Sequence, residues 1–139
     1  MSAVLIASIT ELCEADHRND PQLLAGWREN KSPERVAQWF ESPASTLLVA
    51  ERNGEIAAVG GYFASDRVVS LNYVAPAHRF AGVSTALLAA IEAGLGSGEA
   101  SLESTQTARR FYESRGWHVV GGLAKHRGID GYPMRKLLG

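Results

Sequence analysis

The order of its elements predicts that this chain is a mixed α/β (α+β) domain, a mixed sheet with helices on both faces. Three observations carry the prediction. Asn53-Gly54 separates two apolar runs, the strongest short hairpin signal there is. Residues 74–92, VAPAHRFAGVSTALLAAIE, run from a strand end through a loop bearing Arg79 and Gly82 into an amphipathic helix. A second strand-to-helix passage follows near residues 100–115, so two βαβ-like crossovers are embedded among hairpins.

Taken in order, Val4 to Ile9 reads as a first strand, and Thr10 as the cap of a short helix starting at Glu11. The polar stretch His17–Asp20 and Pro21 break that helix; Leu23, Leu24 and Trp27 suggest a second piece. Ser32-Pro33 opens another, because proline at the first turn gives up an N–H that has no partner anyway. Val36, Trp39 and Phe40 face inward there, and Ser42-Pro43 ends it. Thr46–Glu51 and Ile56–Phe63 form the hairpin. Asp66 and Arg67 turn the chain into a strand at Val68–Val74. Past Gly82, apolar side chains at 83, 87 and 91, with Ala86 and Ala90 beside them, give helical spacing with one buried face. Gly94, Gly96 and Gly98 read as a helix stop and turn. A strand near Ala100–Glu103, a helix over Thr105–Arg115, and a closing pair, Trp117–Val120 and Tyr132–Leu137 around a Gly-rich loop, complete the order β-α-α-β-β-β-α-β-α-β-β.

At 139 residues the chain fits one domain, 1–139, able to bury a core without staples. A formal net charge of −1 argues against a nucleic-acid partner, which calls for a basic excess. A single cysteine, Cys13, excludes an internal disulfide and fits a reducing compartment. No Lys or Arg precedes the first apolar run and acidic residues follow it, so a secretory signal is not expected; no run approaches membrane-spanning length. Cytoplasmic location, without a membrane partner, is the default expectation.

The most informative segment is the loop from Arg79 to Ser84. Gly82 has no Cβ to obstruct close backbone approach. A helix opening behind it offers unpaired N–H groups and the positive end of a dipole, which suits a phosphate or pyrophosphate, and Arg79 adds a full charge. Strand–loop–helix is also plain architecture in many α/β domains. A nucleotide-triphosphate loop needs Lys after its last glycine, absent here, and a dinucleotide loop needs G-x-G-x-x-G directly after a strand.

The spacing of Val74, Pro76, Arg79, Gly82, Ser84, Leu87 and Leu88 resembles the acyl-CoA loop of the GNAT acetyltransferase superfamily, with Ser84 where glycine or alanine is more usual. A second segment, LESTQTARRFYESRGW at 102–117, resembles that superfamily's later motif through Ala108, Phe111, Tyr112, Glu113, Gly116 and Trp117. The resemblance covers about residues 45–139. It implies a single-domain GNAT-like fold around a mixed, mostly antiparallel sheet. It also implies an N-acetyltransferase using acetyl-CoA as cosubstrate, with an amine acceptor that is a small molecule or protein, acting as a monomer or homodimer.

Carried onto this chain, the resemblance implies that Arg79, Phe80, Ala81, Gly82, Val83, Ser84 and Thr85 bind the pyrophosphate. A bulged strand ending at Asn72, Tyr73 and Val74 would splay and present main-chain groups to the thioester and pantetheine. An oxyanion donor of that kind is worth about 10²–10³ in rate. Thr105 stands where many members have asparagine against the pantetheine arm, and it also reads as a helix cap. Ala108 and Phe111 would line the same arm. Tyr112 is the implied general acid for the departing thiolate, since a phenol titrating near 10 can protonate a thiol that titrates near 8.5. Its bland alternative is the wet edge of an apolar helix face.

Glu103, at the end of the strand before Tyr112, is the expected general base, with His126 as a weaker rival. His17, His78, His118 and His126 lack metal-ligand spacing and Cys13 has no partner, so no metal is expected. The resemblance directs the acceptor between residues 20–31 and 122–131, where Trp27 and Trp39 are either cleft lining or core. Two further readings stay open: a CoA-binding sensor or regulatory module without turnover, and a transferase of longer acyl chains.

Overall fold

The apolar run at the amino terminus folds as a helix, not as the predicted first strand. Helix α1 spans Ser2–Leu12, with Leu5 and Ile9 fully buried. A spacing of four puts those two on one helical face, and short apolar runs are the case where helix and strand patterns are hardest to tell apart. Thr10 and Glu11 therefore lie inside α1 instead of opening a helix. The computed structural model describes residues 1–79, 82–126 and 129–139, apart from the side chains of Asn30 and His126.

The next helices follow their local signals. α2 spans Glu14–His17 and stops where Arg18 and Asn19 turn left-handed, at φ 53° and 57°. α3, Pro21–Arg28, is capped by Asp20, whose carboxylate accepts from Gln22 N–H at 2.8 Å and Leu23 N–H at 3.4 Å. α4, Pro33–Trp39, opens on Ser32, whose hydroxyl accepts from Arg35 N–H at 3.3 Å. Both begin with proline at the first turn.

The strands are β1 Ser45–Arg52, β2 Glu55–Phe63, β3 Val68–Val74, β4 Gly98–Ser104, β5 His118–Val119, β6 Ala124–His126 and β7 Ile129–Leu138. They pair in the order β1-β2-β3-β4-β7-β5, with β6 also against β7. Among the described residues only β3 and β4 run parallel; the other pairings are antiparallel. The β1–β2 turn places Asn53 at φ 55° and Gly54 at φ 78°, the paired positive angles of a tight hairpin. Helix α5, Val83–Leu95, matches its periodicity. α6 covers only Arg109–Glu113, because Gln106–Ala108 form a turn in place of the predicted first helical residues. The closing pair gains β6 within the expected Gly-rich loop.

Two clusters hold helices to opposite faces. Leu87, Leu88, Ile91 and Leu95 of α5 pack with Ala58, Val69, Leu102, Tyr112, Trp117 and Met134. On the other face Leu5 of α1 and Val36 of α4 meet Val59, with Leu71 and Tyr73 against them. The crossover from β3 through α5 to β4 is clamped by Arg67. Its guanidinium donates to the carbonyls of Leu95 at 2.6 Å, Gly96 at 2.8 Å and Glu99 at 2.8 Å. A cation at a helix C-terminus, satisfying carbonyls that have no helical partner, is favoured twice over.

The position of α1 gives a direct test. Leu5→Ala is expected to lower unfolding free energy by about 2–5 kcal/mol, as for other fully buried leucines, read as a reduced urea midpoint with unchanged slope.

Candidate active site

The feature that opens a site is the separation of β3 from β4. The two pair only at Val68–Ser101 and Val69–Leu102 and then diverge. In the β2–β3 register, Gly61 faces Leu71 and Tyr62 faces Val69, leaving Ser70 as an extra residue in β3. A bulge increases local twist and bends its strand. Here it falls one residue past the last β4 partner, so the strands part where β3 bends.

A cavity of about 470 Å³ lies along the gap. It is lined by Asn72, Tyr73 and Val74 of β3, by Arg79 and Gly82–Thr85 at the start of α5, and by Thr105, Thr107, Ala108, Phe111, Tyr112 and Arg115 around α6. Every predicted carrier-binding residue within the described part thus lines this cavity; Phe80 and Ala81 lie outside the described residues. Gly82 has φ 77°, and a Cβ there would meet nothing within 4 Å. Backbone conformation, not crowding within the protein, is what calls for glycine at this turn. The Thr105 hydroxyl accepts from Ala108 N–H at 3.1 Å, so its capping role coexists with a place in the lining.

Three lining or supporting residues escaped sequence reasoning. Arg115 stacks on the Phe111 ring at 4.4 Å and donates to the Thr85 hydroxyl at 2.5 Å, joining α6 to the first turn of α5. Its signal was an arginine one helical turn after an aromatic. Asp16 is buried and accepts from Gln106 N–H at 2.6 Å, Thr107 N–H at 3.1 Å and the Thr107 hydroxyl at 2.5 Å. That bond set fixes the turn into α6 from ninety residues away, beyond any local pattern. Cys13 also lines the cavity; burial, reinforced by the nearby Asp16 charge, pushes its thiol up to about 12, so it stays protonated and a poor nucleophile.

A second cavity, about 460 Å³, is lined by Gly26, Trp27 and Lys31 from the early helices, by Glu103 and Ser104 of β4, and by Lys125 and Ile129–Gly131 of the last hairpin. Tyr73 and Thr105 border both cavities. Glu103 is on this side, its carboxylate so close to Gly131 that a Cβ there would lie 2.2 Å from Oε1. Tyr112 lines the first cavity and Glu103 the second, and both border a small third cavity of about 50 Å³ in the gap between β3 and β4, together with Asn72, Tyr73 and Thr105. Trp27 joins the lining, whereas Trp39 packs against the Leu5–Val36 cluster and borders a separate cavity.

The histidines are dispersed. His17 is buried, donating from Nε2 to the Ile9 carbonyl at 2.9 Å and accepting at Nδ1 from Asn19 N–H at 3.0 Å. His78 faces Glu55 at 3.0 Å, and His118 is exposed on β5. The His126 side chain lies outside the described residues. Among the described residues no group of three or more His, Cys, Asp or Glu has metal-holding geometry.

Two phenols flank the gap. Burial pushes the Tyr112 hydroxyl up to about 12, opposed by a hydrogen bond from the Asn72 side chain. Burial, then the nearby Cys13 group, raises Tyr73 as well, opposed by a hydrogen bond from the Trp27 indole. Both are therefore protonated at neutral pH and act as donors, not bases.

A mixed sheet splayed beside a glycine turn at a helix N-terminus is the arrangement that the sequence resemblance implied, and comparison with known proteins gives the family. The family model described as an acetyltransferase (GNAT) domain matches residues 13–138. The chain belongs to the GNAT acetyltransferase family. Among solved structures, it is similar to a GCN5-related N-acetyltransferase from Rhodopseudomonas palustris, with 20% identity, TM-score 0.84, and coverage of 99% of this chain and 87% of that one. PaiA N-acetyltransferase from Thermoplasma acidophilum, solved with coenzyme A, matches at 16% identity and TM-score 0.71 over 98% and 92% of the two chains. An aminoglycoside 6'-N-acetyltransferase complexed with coenzyme A matches at 18% and 0.63, over 86% and 93%. At these identities the likeness establishes the fold. No curated protein matches the chain by sequence. No helix among the described residues is long and apolar enough to cross a membrane.

The raised groups set an alkaline limit. Cys13 moves from 9.0 to about 12 and Tyr112 from 10.0 to about 12 on folding. A folded-state pKa above the unfolded one means the unfolded chain loses its proton first. Stability from these groups is complete below about pH 9 and is lost as pH rises toward 12. Urea midpoints are expected to fall across that range, and Tyr112→Phe to flatten the fall between pH 10 and 12; an equal slope in the variant would contradict the assignment.

Proposed function

We propose that the protein is an acetyl-CoA-dependent N-acetyltransferase in which an amine attacks the thioester directly, without an acyl-enzyme. The observation that carries this reading is that the glycine turn, the parted β3 edge and Tyr112 line one cavity, which shares Tyr73 and Thr105 with a second cavity. Family membership supports acetyl transfer and CoA-type binding in general; the donor, the acceptor type and the residue roles are this proposal's own.

Arg79, Arg115 and the first-turn N–H groups of α5 supply positive potential for the pyrophosphate. The pantetheine arm runs along β3, whose N–H and C=O groups past Val69 have no β4 partner and need one. The amine arrives from the second cavity, where Glu103, directly or through water, takes its proton. As nitrogen bonds to the carbonyl carbon, a main-chain N–H near Val74 receives the developing oxyanion. The carbon–sulfur bond then breaks, Tyr112 gives its proton to the sulfur, and solvent returns one to the phenolate. A protonated phenol buried beside the gap suits that step, and the high thiol pKa of Cys13 argues against a covalent intermediate.

Acetyl-CoA is expected to raise the melting temperature, as any ligand of the native state must, and thiol release should be seen with some member of an amine panel. Absence of a shift at millimolar ligand sinks the reading; a shift without turnover on any amine reassigns the chain as a CoA-binding module. Tyr112→Phe should slow turnover by about 10²–10⁴-fold, and an unchanged kcat would remove that residue from the proton-donor role.

A further inference from the structure

Beside α4 lies a cavity of about 310 Å³ that shares no lining residue with the cavity along β3. The bulge helps to form it: Ser70, the extra residue, and Leu71 after it both line it. Gly61, paired with Leu71, leaves room for the serine hydroxyl. A Cβ there would lie 3.0 Å from Ser70 Oγ and 3.1 Å from Leu47, another lining residue. Ser42 and Ser45 add two hydroxyls, and Trp39 and Phe63 add apolar walls. Among the described lining residues one is charged, Lys31, and it also lines the second cavity, which holds Trp27 and Glu103.

Lys31 is held at both ends. It closes the 3₁₀ turn Glu29–Lys31, where its carbonyl accepts from the Ser2 hydroxyl of α1. Its ammonium lies 5.8 Å from the centre of the Trp39 ring, a distance at which a cation is attracted to an aromatic face. Trp39 borders the cavity beside α4 and not the second cavity, so the ammonium is drawn to the α4 side. The residue is only 8% exposed, and a charge in such poorly solvated surroundings acts more strongly on a neighbour than one in water. The described charges of the second cavity then sort into two sets. Lys125 and Asp130 pair with each other at 3.8 Å; the other two are Glu103 and Lys31, one of each sign.

We propose that the acceptor is an amino-carboxylate, an amine joined to a carboxylate by an apolar stem, and that Lys31 is the residue that selects it. This rests on the acetyl-transfer reading above. The amine faces Glu103, the stem lies along Trp27, and the carboxylate accepts from the Lys31 ammonium at the edge of the α4 cavity. Hydroxyls of the same lining, Ser45 and Ser70, donate to its remaining lone pairs. A diamine sets a second cation against Lys31, and a simple alkylamine makes no use of it. Lys31 takes no part in bond making or breaking; it discriminates between acceptors.

Chain-matched acceptors test this: ω-amino acids, alkylamines and α,ω-diamines of equal length, each assayed for kcat/KM with acetyl-CoA. At the best chain length the wild type is expected to prefer the ω-amino acid to the alkylamine by about 10–100-fold, with the diamine below both. Lys31→Met should abolish that preference; because the readout is a ratio, a general loss of folded enzyme cancels. Lys31→Arg, which keeps the charge, should retain it. An alkyl carboxylate of the same length, lacking the amine, should compete with the ω-amino acid in the wild type. Alkylamines or diamines used as well as ω-amino acids would overturn the assignment while leaving acetyl transfer intact, and so would a preference that survives Lys31→Met or a carboxylate that fails to compete. Binding of acetyl-CoA without turnover of any acceptor would instead remove the transferase reading, and this inference with it.

Discussion

The brevity of one strand pairing governs this molecule. β3 and β4 exchange partners at two positions and then separate, at a cost in main-chain hydrogen bonds that a closed sheet would not incur. The extra residue at Ser70 makes the separation mechanical: it bends β3 immediately after its last β4 partner. The cavities that run along β3 follow from that opening. A group that satisfies backbone donors and acceptors along its length, as a pantetheine amide chain does, is the complement such an edge calls for.

An opening of this kind needs stiff walls. Arg67 binds three carbonyls around the end of α5 and the start of β4, fixing the crossover behind the gap. Asp16 holds the turn before α6 through three hydrogen bonds, and Arg115 ties α6 to Thr85. A buried carboxylate is expensive unless its oxygens are fully used, and Asp16 uses them on the segment that carries Tyr112. The wall of the cavity along β3 is thereby anchored to α2, an element with no side chain of its own in the second motif.

The replacement of an amino-terminal strand by α1 has a further consequence. With no strand ahead of β1 among the described residues, α1 is free to lie across the sheet, packing on β2 and β3. Its last residues reach the cavity along β3 through Leu12, and Cys13 follows in the same lining. An apolar helix end and a protonated thiol leave no ready nucleophile on that wall.

Local chemistry fixed much of this from residues alone. Asn53-Gly54 accepts positive φ at both positions and so sets a hairpin wherever the chain goes. Ser32-Pro33 and Asp20-Pro21 carry their own caps, and the 83–91 stripe has a period no strand can use. The two motifs are each contiguous, so Arg79, Gly82 and Tyr112 could be singled out from sequence, and the fold brings them to one cavity. What tertiary structure alone decided is non-local. Whether Val4–Ile9 was helix or strand depended on the face of β2 and β3 available to cover it, since a six-residue apolar run satisfies either period. The bulge at Ser70 is a register relation between two strands, invisible in either one. Glu103 and Tyr112 came to border one small cavity with Tyr73, because where β3 and β4 part is set by their pairing and not by either segment alone. Sequence encodes local geometry through φ, caps and periodicity; the meeting of distant groups is decided by which surfaces exclude water together.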